Sequence, residues 1–358
     1  MTRVRSTFER LFKVVRVGNV AFFMGELQTA YTTLHDAFVL FTRLGNRKAI
    51  AIANNNLGVL MLTMYRAMKK TNAPSMCKFS RKKVIHKGCV YLKAAIDLGE
   101  TAIRRIYEDE GWSEKYLVFM QQVSNRYFNR GVFLLTVRRD HPRPELAEKQ
   151  GLTDLATAKD MDREVVDNGD HEGFKGDLDV YFELLMSRIK GLLLLMKMGY
   201  EDPWGIDDLF DEARKAMVSA LEMPGHPLFD DLAKAGQMQR LDSALIEYHL
   251  HMATQAVEDE ERKNKHVRNA ASIGVRMMIE DDYVIGEAAI LALKALIDST
   301  HLATDDEYGE DPSDIRTKLF QYRHRIGEIL SLTYSSRDIT SRACFNASNI
   351  GDVSMEVF

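Results

Sequence analysis

Residues 17–61 decide the fold of this chain, and they read VGNVAFFMGELQTAYTTLHDAFVLFTRLGNRKAIAIANNNLGVLM. Gly25 separates two apolar patterns and lies where a short turn is expected. After it, apolar residues recur at intervals of three and four, the spacing of one buried stripe on a helix. These residues are Leu34, Phe38 and Phe41. The stretch therefore predicts two antiparallel helices joined at Gly25.

Small residues mark the expected contact between these two helices. They are Gly18, Ala30 and Ala37. A larger side chain at such a position would overpack the contact between the helices. Gly45 then ends the second helix as a favoured stop residue, and a new helix opens around Asn56-Leu57-Gly58. Residues 17–61 thus hold one helical hairpin and the beginning of the next.

Later parts of the chain repeat this pattern more loosely. A small residue is followed by a large apolar residue four positions on and an alanine three positions after that, in 88–95, 151–158 and 213–220. We predict amphipathic helices beyond these hairpins at 232–257, 265–280, 284–299 and 312–334. The predicted parts are N-terminal hairpins over 1–168 with an insertion at about 66–87, further degenerate hairpins over 178–334, and a tail over 335–358.

The pattern resembles the tetratricopeptide (TPR) repeat, which places Leu-Gly in its first helix and Ala-x3-Phe in its second. Val17-Gly18 and Leu57-Gly58 stand at the Leu-Gly place, and Ala30-x3-Leu34-x2-Ala37 stands in the second helix. The tryptophan and the closing proline of the family are absent from this first hairpin. The resemblance implies an all-α protein, a right-handed α-solenoid of helical hairpins with a degenerate C-terminal part. It also implies a non-enzymatic scaffold that binds a partner protein or peptide in the concave groove of the array.

Composition agrees with a helical protein that binds neither nucleic acid nor a membrane. The 358 residues are 46% hydrophobic, include 7 prolines and have a formal net charge of −4. That charge argues against bulk binding of nucleic acid. Three scattered cysteines favour a reducing compartment, and the longest apolar run is shorter than the roughly 20 residues that cross a bilayer. We expect a cytoplasmic protein that binds neither nucleic acid nor a membrane.

Short catalytic motifs are missing from the sequence. It contains no P-loop, no Gly-x-Gly-x-x-Gly, no Gly-x-Ser-x-Gly and no His-Glu-x-x-His. The histidines at 249 and 251 have a spacing that points them to different faces of a helix, so we interpret them as surface or capping residues. Asp170-His171-Glu172 lies in a Gly-rich segment and is interpreted as a solvated linker. The sequence predicts no enzyme, no metal site and no cofactor.

The TPR resemblance also implies where a partner binds. Residues that flank the Leu-Gly place in each first helix face the concave groove of that family. The matching positions here are Asn19, Phe22, Phe23, Asn55, Leu62, Asn125 and Phe128. Asparagine offers both donors and an acceptor, so a row of them can hold the backbone of an extended peptide. The alternative is that these asparagines cap helices or bond between neighbouring hairpins.

A basic stretch in the predicted insertion forms a second candidate surface. Its residues include Lys78, Arg81, Lys82 and Lys83, with no acidic residue among them. Such a patch can bind an acidic partner or a phosphate, and the alternative is a solvated loop kept basic for solubility.

The tail adds one further resemblance. Arg337-Asp338-Ile339-Thr340 and Asp352-Val353-Ser354 resemble the opening of a von Willebrand factor A-type domain, which some TPR proteins carry after their repeats. Glu356 stands where the metal-binding run of that domain has its last serine. This likeness implies that the chain is the repeat region of a larger protein. Two other functions stay open: a regulatory sensor domain of a signalling protein, and a helical enzyme with a site between the two halves.

Overall fold

The computed structural model describes residues 17–22, 25–71, 78–168, 178–202, 204–222, 231–256, 258–277 and 295. Within these ranges the regular secondary structure is helical, and no strand occurs. Residues 17–22 are helical, and the helices that follow are α1 (Leu27–Arg43), α2 (Arg47–Thr71), α3 (Arg81–Glu110), α4 (Glu114–Val137), α5 (Pro144–Asn168), α6 (Leu178–Lys197), α7 (Ile206–Glu222), α8 (Asp231–Gln255) and α9 (Glu260–Val275). The all-α prediction is confirmed for this part of the chain.

The turns before and after α1 lie at the glycines that the sequence predicts. Gly25 has a φ of +75° and Gly45 a φ of +67°, the left-handed region that glycine adopts without strain. Asn46 caps α2, since its Oδ1 accepts a hydrogen bond from the Ala49 backbone N–H at 3.0 Å. Ser113 caps α4 in the same manner, since its side chain accepts a hydrogen bond from the Tyr116 backbone N–H.

The chain divides into two compact units, and the first extends to Gly205. In this unit each of the helices α1 to α4 packs against the next, and α4 also contacts α2 and α6. Side chains from α1 to α4 form a shared buried core that includes Phe41, Tyr65, Leu92 and Phe133. The sequence assigns α6 to a second part, whereas its contact with α4 places it in the first unit.

Glycine creates the closest approaches between these helices. A Cβ atom added at Gly18 would lie 2.8 Å from Leu34 Cγ, and one at Gly58 would lie 2.4 Å from Leu92 Cγ. Ala30 and Ala37 are fully buried. The predicted contact through small residues is therefore confirmed. The same arrangement joins α4 to α5, where a Cβ at Gly131 would lie 2.9 Å from the Gly151 carbonyl oxygen.

The predicted insertion at 66–87 is largely helical where the structure describes it. Residues 66–71 continue α2, and residues 81–87 begin α3. The long spacing between Gly58 and Gly88 therefore arises mainly from long helices. Ser80 supplies the start signal of α3, because its side chain accepts a hydrogen bond from the Lys83 backbone N–H.

The second unit begins at Ile206 and contains α7, α8 and α9 among its described residues. α8 packs against both α7 and α9. α8 and α9 overlap the predicted helices at 232–257 and 265–280, and α9 begins five residues earlier than predicted. The predicted helices at 284–299 and 312–334, the linker at 170–172 and the tail at 335–358 lie outside the described residues, apart from residue 295. Across the described ranges, no helix combines the length and apolar character of a membrane span.

Candidate partner-binding surfaces

The predicted groove residues lie mostly inside the first unit. Asn19, Asn55 and Phe128 are buried, whereas Phe22, Leu62 and Asn125 are half-buried. The side chain of Phe23 lies outside the described residues. A partner could reach the buried side chains only if they became accessible, so their binding role stays a prediction.

Two of the predicted asparagines form hydrogen bonds between helices. Asn55 on α2 accepts a hydrogen bond from Asn129 Nδ2 on α4 at 3.1 Å. Asn125 on α4 accepts one from Arg188 Nη1 on α6 at 3.0 Å. These bonds join helices of neighbouring predicted hairpins, which is the alternative stated for the asparagine row.

Arg188 is the centre of a buried polar network that the sequence analysis did not detect. Its side chain is 1% exposed, and its Nε lies 3.3 Å from Asp162 Oδ2. Its Nη2 donates to Ser124 Oγ at 3.1 Å, and Ser124 in turn donates to the Ala158 carbonyl oxygen. Burial lowers the pKa of Arg188 by removing water from the guanidinium, and Asp162 opposes that shift.

Phe128 belongs to the same buried region. The Arg188 guanidinium carbon lies 4.3 Å from the centroid of its ring, and the Trp204 ring packs edge-on at 5.5 Å. A Cβ at Gly191 would lie 2.6 Å from the Phe128 ring. Phe128 therefore holds α6 against α4 in this structure.

An aromatic pocket lies on another face of the first unit, with walls formed by α3, α4 and α5. Its volume is about 310 Å³. It is lined by Glu100, Ile103, Arg104, Tyr107, Tyr116, Tyr127, Thr157 and Met161. Three helices converge there because α3 and α5 both pack against α4. We call this the aromatic pocket.

Exposed aromatic rings stand at the edge of the aromatic pocket. Tyr107 is 47% exposed and Trp112 is 51% exposed. The Trp112 ring packs edge-on against Tyr116 at 5.0 Å and against Tyr107 at 6.0 Å. Because Gly111 ends α3 and Ser113 caps α4, the short connection holds Trp112 at a defined place on the surface.

Carboxylates surround the aromatic pocket. Tyr127 Oη donates to Glu100 Oε1, and burial followed by this bond raises the pKa of Tyr127 well above its usual range. Burial also raises the pKa of Tyr116, and the negative charge of Glu164 adds to that effect. Acidic residues outnumber basic ones in both segments that flank the pocket, 100–115 and 157–168. The pocket therefore combines apolar rings with one acidic and one basic lining residue, Glu100 and Arg104, and lies between segments that have an excess of acidic residues.

The predicted basic surface lies at the beginning of α3. Lys78, Arg81, Lys82 and Lys83 are exposed. Arg81 Nη1 lies 3.5 Å from Asp140 Oδ2, an acceptor that Tyr65 also uses at 2.8 Å. The Lys83 ammonium lies 5.0 Å from the centroid of the Phe79 ring. Part of this surface is thus fixed by contacts with the helical core.

The second unit contains a histidine pair. His249 Nδ1 on α8 lies 3.1 Å from His266 Nδ1 on α9, and their rings lie 5.3 Å apart. Burial, with a smaller contribution from His266, lowers the pKa of His249 to about 4. The interpretation of His249 as an ordinary surface residue is wrong because it is half-buried against α9. No group of three metal-ligating side chains forms in the ranges that the structure describes.

Comparisons with protein-family models, with curated proteins and with solved structures give no match. The TPR resemblance accordingly stays a hypothesis that depends on the residue pattern alone.

Proposed function

We propose that this protein is a non-enzymatic scaffold, a TPR-like right-handed α-solenoid that binds a partner protein or peptide. The recurring contact of glycine with a large side chain supports this proposal. It occurs at Gly18 with Leu34, at Gly58 with Leu92, and between α4 and α5 at Gly131. Repeats of this kind contact their neighbours and leave extended surfaces that suit recognition.

The observation that carries the proposal is the pair of exposed rings, Tyr107 and Trp112, beside the aromatic pocket. Tryptophan and tyrosine are enriched among the residues that dominate binding energy at protein interfaces. Their rings are already fixed by packing on Tyr116, so binding would immobilise few additional side chains. Soluble proteins tolerate single exposed apolar side chains, but a fixed aromatic pair at a pocket is typical of an interaction site.

The chemistry of the aromatic pocket specifies its occupant. Its lining of Ile103, Met161 and tyrosine rings suits an apolar or aromatic anchor side chain. The acidic residues around it favour an anchor that has lysine or arginine residues beside it in the partner sequence. We therefore propose a partner segment with an apolar anchor flanked by positive charges.

Affinity capture with matched variants tests this proposal. Trp112→Ala removes the exposed ring, and Leu146→Ala removes an aliphatic side chain of equal exposure, 51%, on α5. We expect the Leu146→Ala variant to retain a partner that the wild type captures. Recovery should fall by about thirtyfold with Trp112→Ala, the effect of a loss of about 2 kcal/mol at a central contact.

The proposal fails if Trp112→Ala retains the partner as well as wild type does, or if both variants lose it equally. Circular dichroism of each variant checks that the helices remain folded. The proposal further places the protein in the cytoplasm, with no nucleic-acid or membrane partner. The net charge of −4 supports this choice of a protein partner.

A further inference from the structure

A lysine enclosed by aromatic rings lies between α1 and α3, away from the aromatic pocket. Lys87 on α3 is half-buried, and its Nζ donates to Tyr31 Oη at 2.9 Å and to Tyr91 Oη at 3.4 Å. The same Nζ lies between 5.3 and 5.4 Å from the ring centroids of Tyr31, Phe79 and Tyr91. These contacts hold the ammonium group in one place.

Neutral groups surround this cation. Its neighbours are phenol oxygens and aromatic rings, and no carboxylate of the described residues forms an ion pair with Lys87. An ammonium group has three N–H donors, and the two phenol oxygens accept from two of them. A partly buried cation is usually paired with an anion because its loss of water is costly. Among the described residues, the neighbours of the Lys87 ammonium are therefore rings and phenol oxygens and include no anion.

Further positive charge lies beside Lys87. Lys83, one helical turn earlier, places its ammonium 5.0 Å from the centroid of the Phe79 ring, which Lys87 also contacts. The Lys78 backbone N–H donates to Gln28 Oε1 on α1, which fixes the approach to α3 beside α1. Lys82 is exposed, and the first turn of α3 contains no acidic residue. Within the described residues none of these lysines forms an ion pair, whereas Arg81 in the same turn is paired with Asp140.

The peptide dipoles of α3 add to that potential. A helix is stabilised by acidic residues in its first turn and basic residues in its last turn. α3 has neither: its first turn is basic, and its last turn contains no basic residue. The charges at the beginning of α3 thus oppose helix stability while they strengthen attraction for an anion.

We propose that Lys87 and Lys83 bind an anionic group, a carboxylate or a phosphate, carried by an acidic segment of a partner protein. Phe79, which is half-buried beside them, supplies ring surface for the apolar part of that segment. Nucleic acid is a poorer fit because its charge calls for a long basic stripe, whereas here the lysines lie within two turns of one helix. The site deepens the proposed scaffold function, but it does not use the aromatic pocket.

Fluorescence anisotropy with defined peptides tests the assignment. The probes are three fluorescein-labelled twelve-residue peptides that place glutamate, phosphoserine or lysine at every second position, with alanine and one central phenylalanine between them. We expect the glutamate or the phosphoserine peptide to bind the full chain and the lysine peptide not to bind. If only one anionic peptide binds, that result identifies carboxylate or phosphate as the group that the site recognises. If both bind, the site accepts either anion.

Variants locate the binding. Lys87→Met keeps the aliphatic stem of the side chain and removes the charge, and we expect it to weaken binding at least tenfold. Lys83→Ala, at an exposed position, should weaken binding severalfold without affecting the fold. Lys149→Ala on α5 is the control, since Lys149 is also an exposed lysine, and we expect it to leave the affinity unchanged. Raising the salt concentration should weaken wild-type binding more than that of Lys83→Ala.

Three results would overturn the assignment. Neither anionic peptide binds, or Lys83→Ala and Lys149→Ala weaken peptide affinity equally. The third result is that single-stranded DNA binds through the same lysines more tightly than either anionic peptide does. Trp112→Ala separates this site from the proposed function. Peptide binding should survive that substitution, whereas capture of a partner at the aromatic pocket should not.

Discussion

Gly131 is the position where a single added methyl group tests the packing of α4 against α5 most severely. A Cβ there would lie 2.9 Å from the Gly151 carbonyl oxygen and 2.9 Å from Leu155 Cγ. A leucine side chain can rotate away, but a backbone oxygen in the middle of a helix moves only if the helix moves. Gly131→Ala should therefore force α4 and α5 apart.

The magnitude follows from two opposing effects. Overpacking a well-packed contact costs about 1–3 kcal/mol. Alanine in a helix interior is favoured over glycine by about 1 kcal/mol. Because the clash involves backbone, we expect the upper part of that range and a net loss of about 1–2 kcal/mol. If the first unit, which extends to Gly205, unfolds cooperatively, that loss lowers its Tm by about 2–8 °C.

Thermal unfolding followed by circular dichroism measures this effect. Thr153→Ala is the control, because Thr153 is exposed on α5 and the substitution also adds helix propensity. Its Tm should equal or exceed that of the wild type. If Gly131→Ala raised Tm as Thr153→Ala does, the close approach of α4 and α5 would be refuted.

Three further predictions concern charged and titratable groups. Asp162→Ala leaves the buried Arg188 charge unpaired and should cost about 3 kcal/mol in urea unfolding. Burial and Asp140 raise the pKa of Tyr65. The stabilisation should therefore be fully present below about pH 10 and fall above it, because tyrosine in the unfolded state ionises there first. The Tyr65→Phe variant should show a smaller loss of stability over the same pH range. The low pKa of His249, about 4, means that stability present above about pH 6.5 should be lost as the pH falls towards 4. His249→Gln should weaken this acid dependence in unfolding measured at pH 7 and pH 4.5.

Local sequence signals account for most of the helix assignments. The three- and four-residue spacing of Leu34, Phe38 and Phe41 predicts α1, and glycine or serine marks the helix ends. These signals act within one or two turns of chain, so they are readable without knowledge of the tertiary structure. The length of α2 and α3 was harder to predict, because the basic residues at 66–71 and 81–87 look like loop residues and yet continue the helices.

The candidate surfaces depend on contacts between distant residues and were largely missed. Arg188 meets Asn125 across 63 residues, and no local pattern indicates that its charge is buried. Lys87 was counted as part of a basic stretch, although Tyr31, 56 residues earlier, gives it a separate environment. Trp112 is the surface residue that the sequence could have indicated. A tryptophan in a short turn between two charged helix ends is expected to be exposed.

Site-specific photo-cross-linking at the aromatic pocket tests the scaffold proposal most directly. A benzoylphenylalanine residue replaces Tyr107, which is 47% exposed, in one sample and Leu146, which is 51% exposed, in another. Both samples are irradiated in extracts of the source cells. The account predicts one discrete cross-linked partner from position 107 and none from position 146, with the cross-link suppressed by Trp112→Ala. Identical cross-links from both positions, or a cross-link at 107 that Trp112→Ala leaves unchanged, would contradict a partner site at the aromatic pocket.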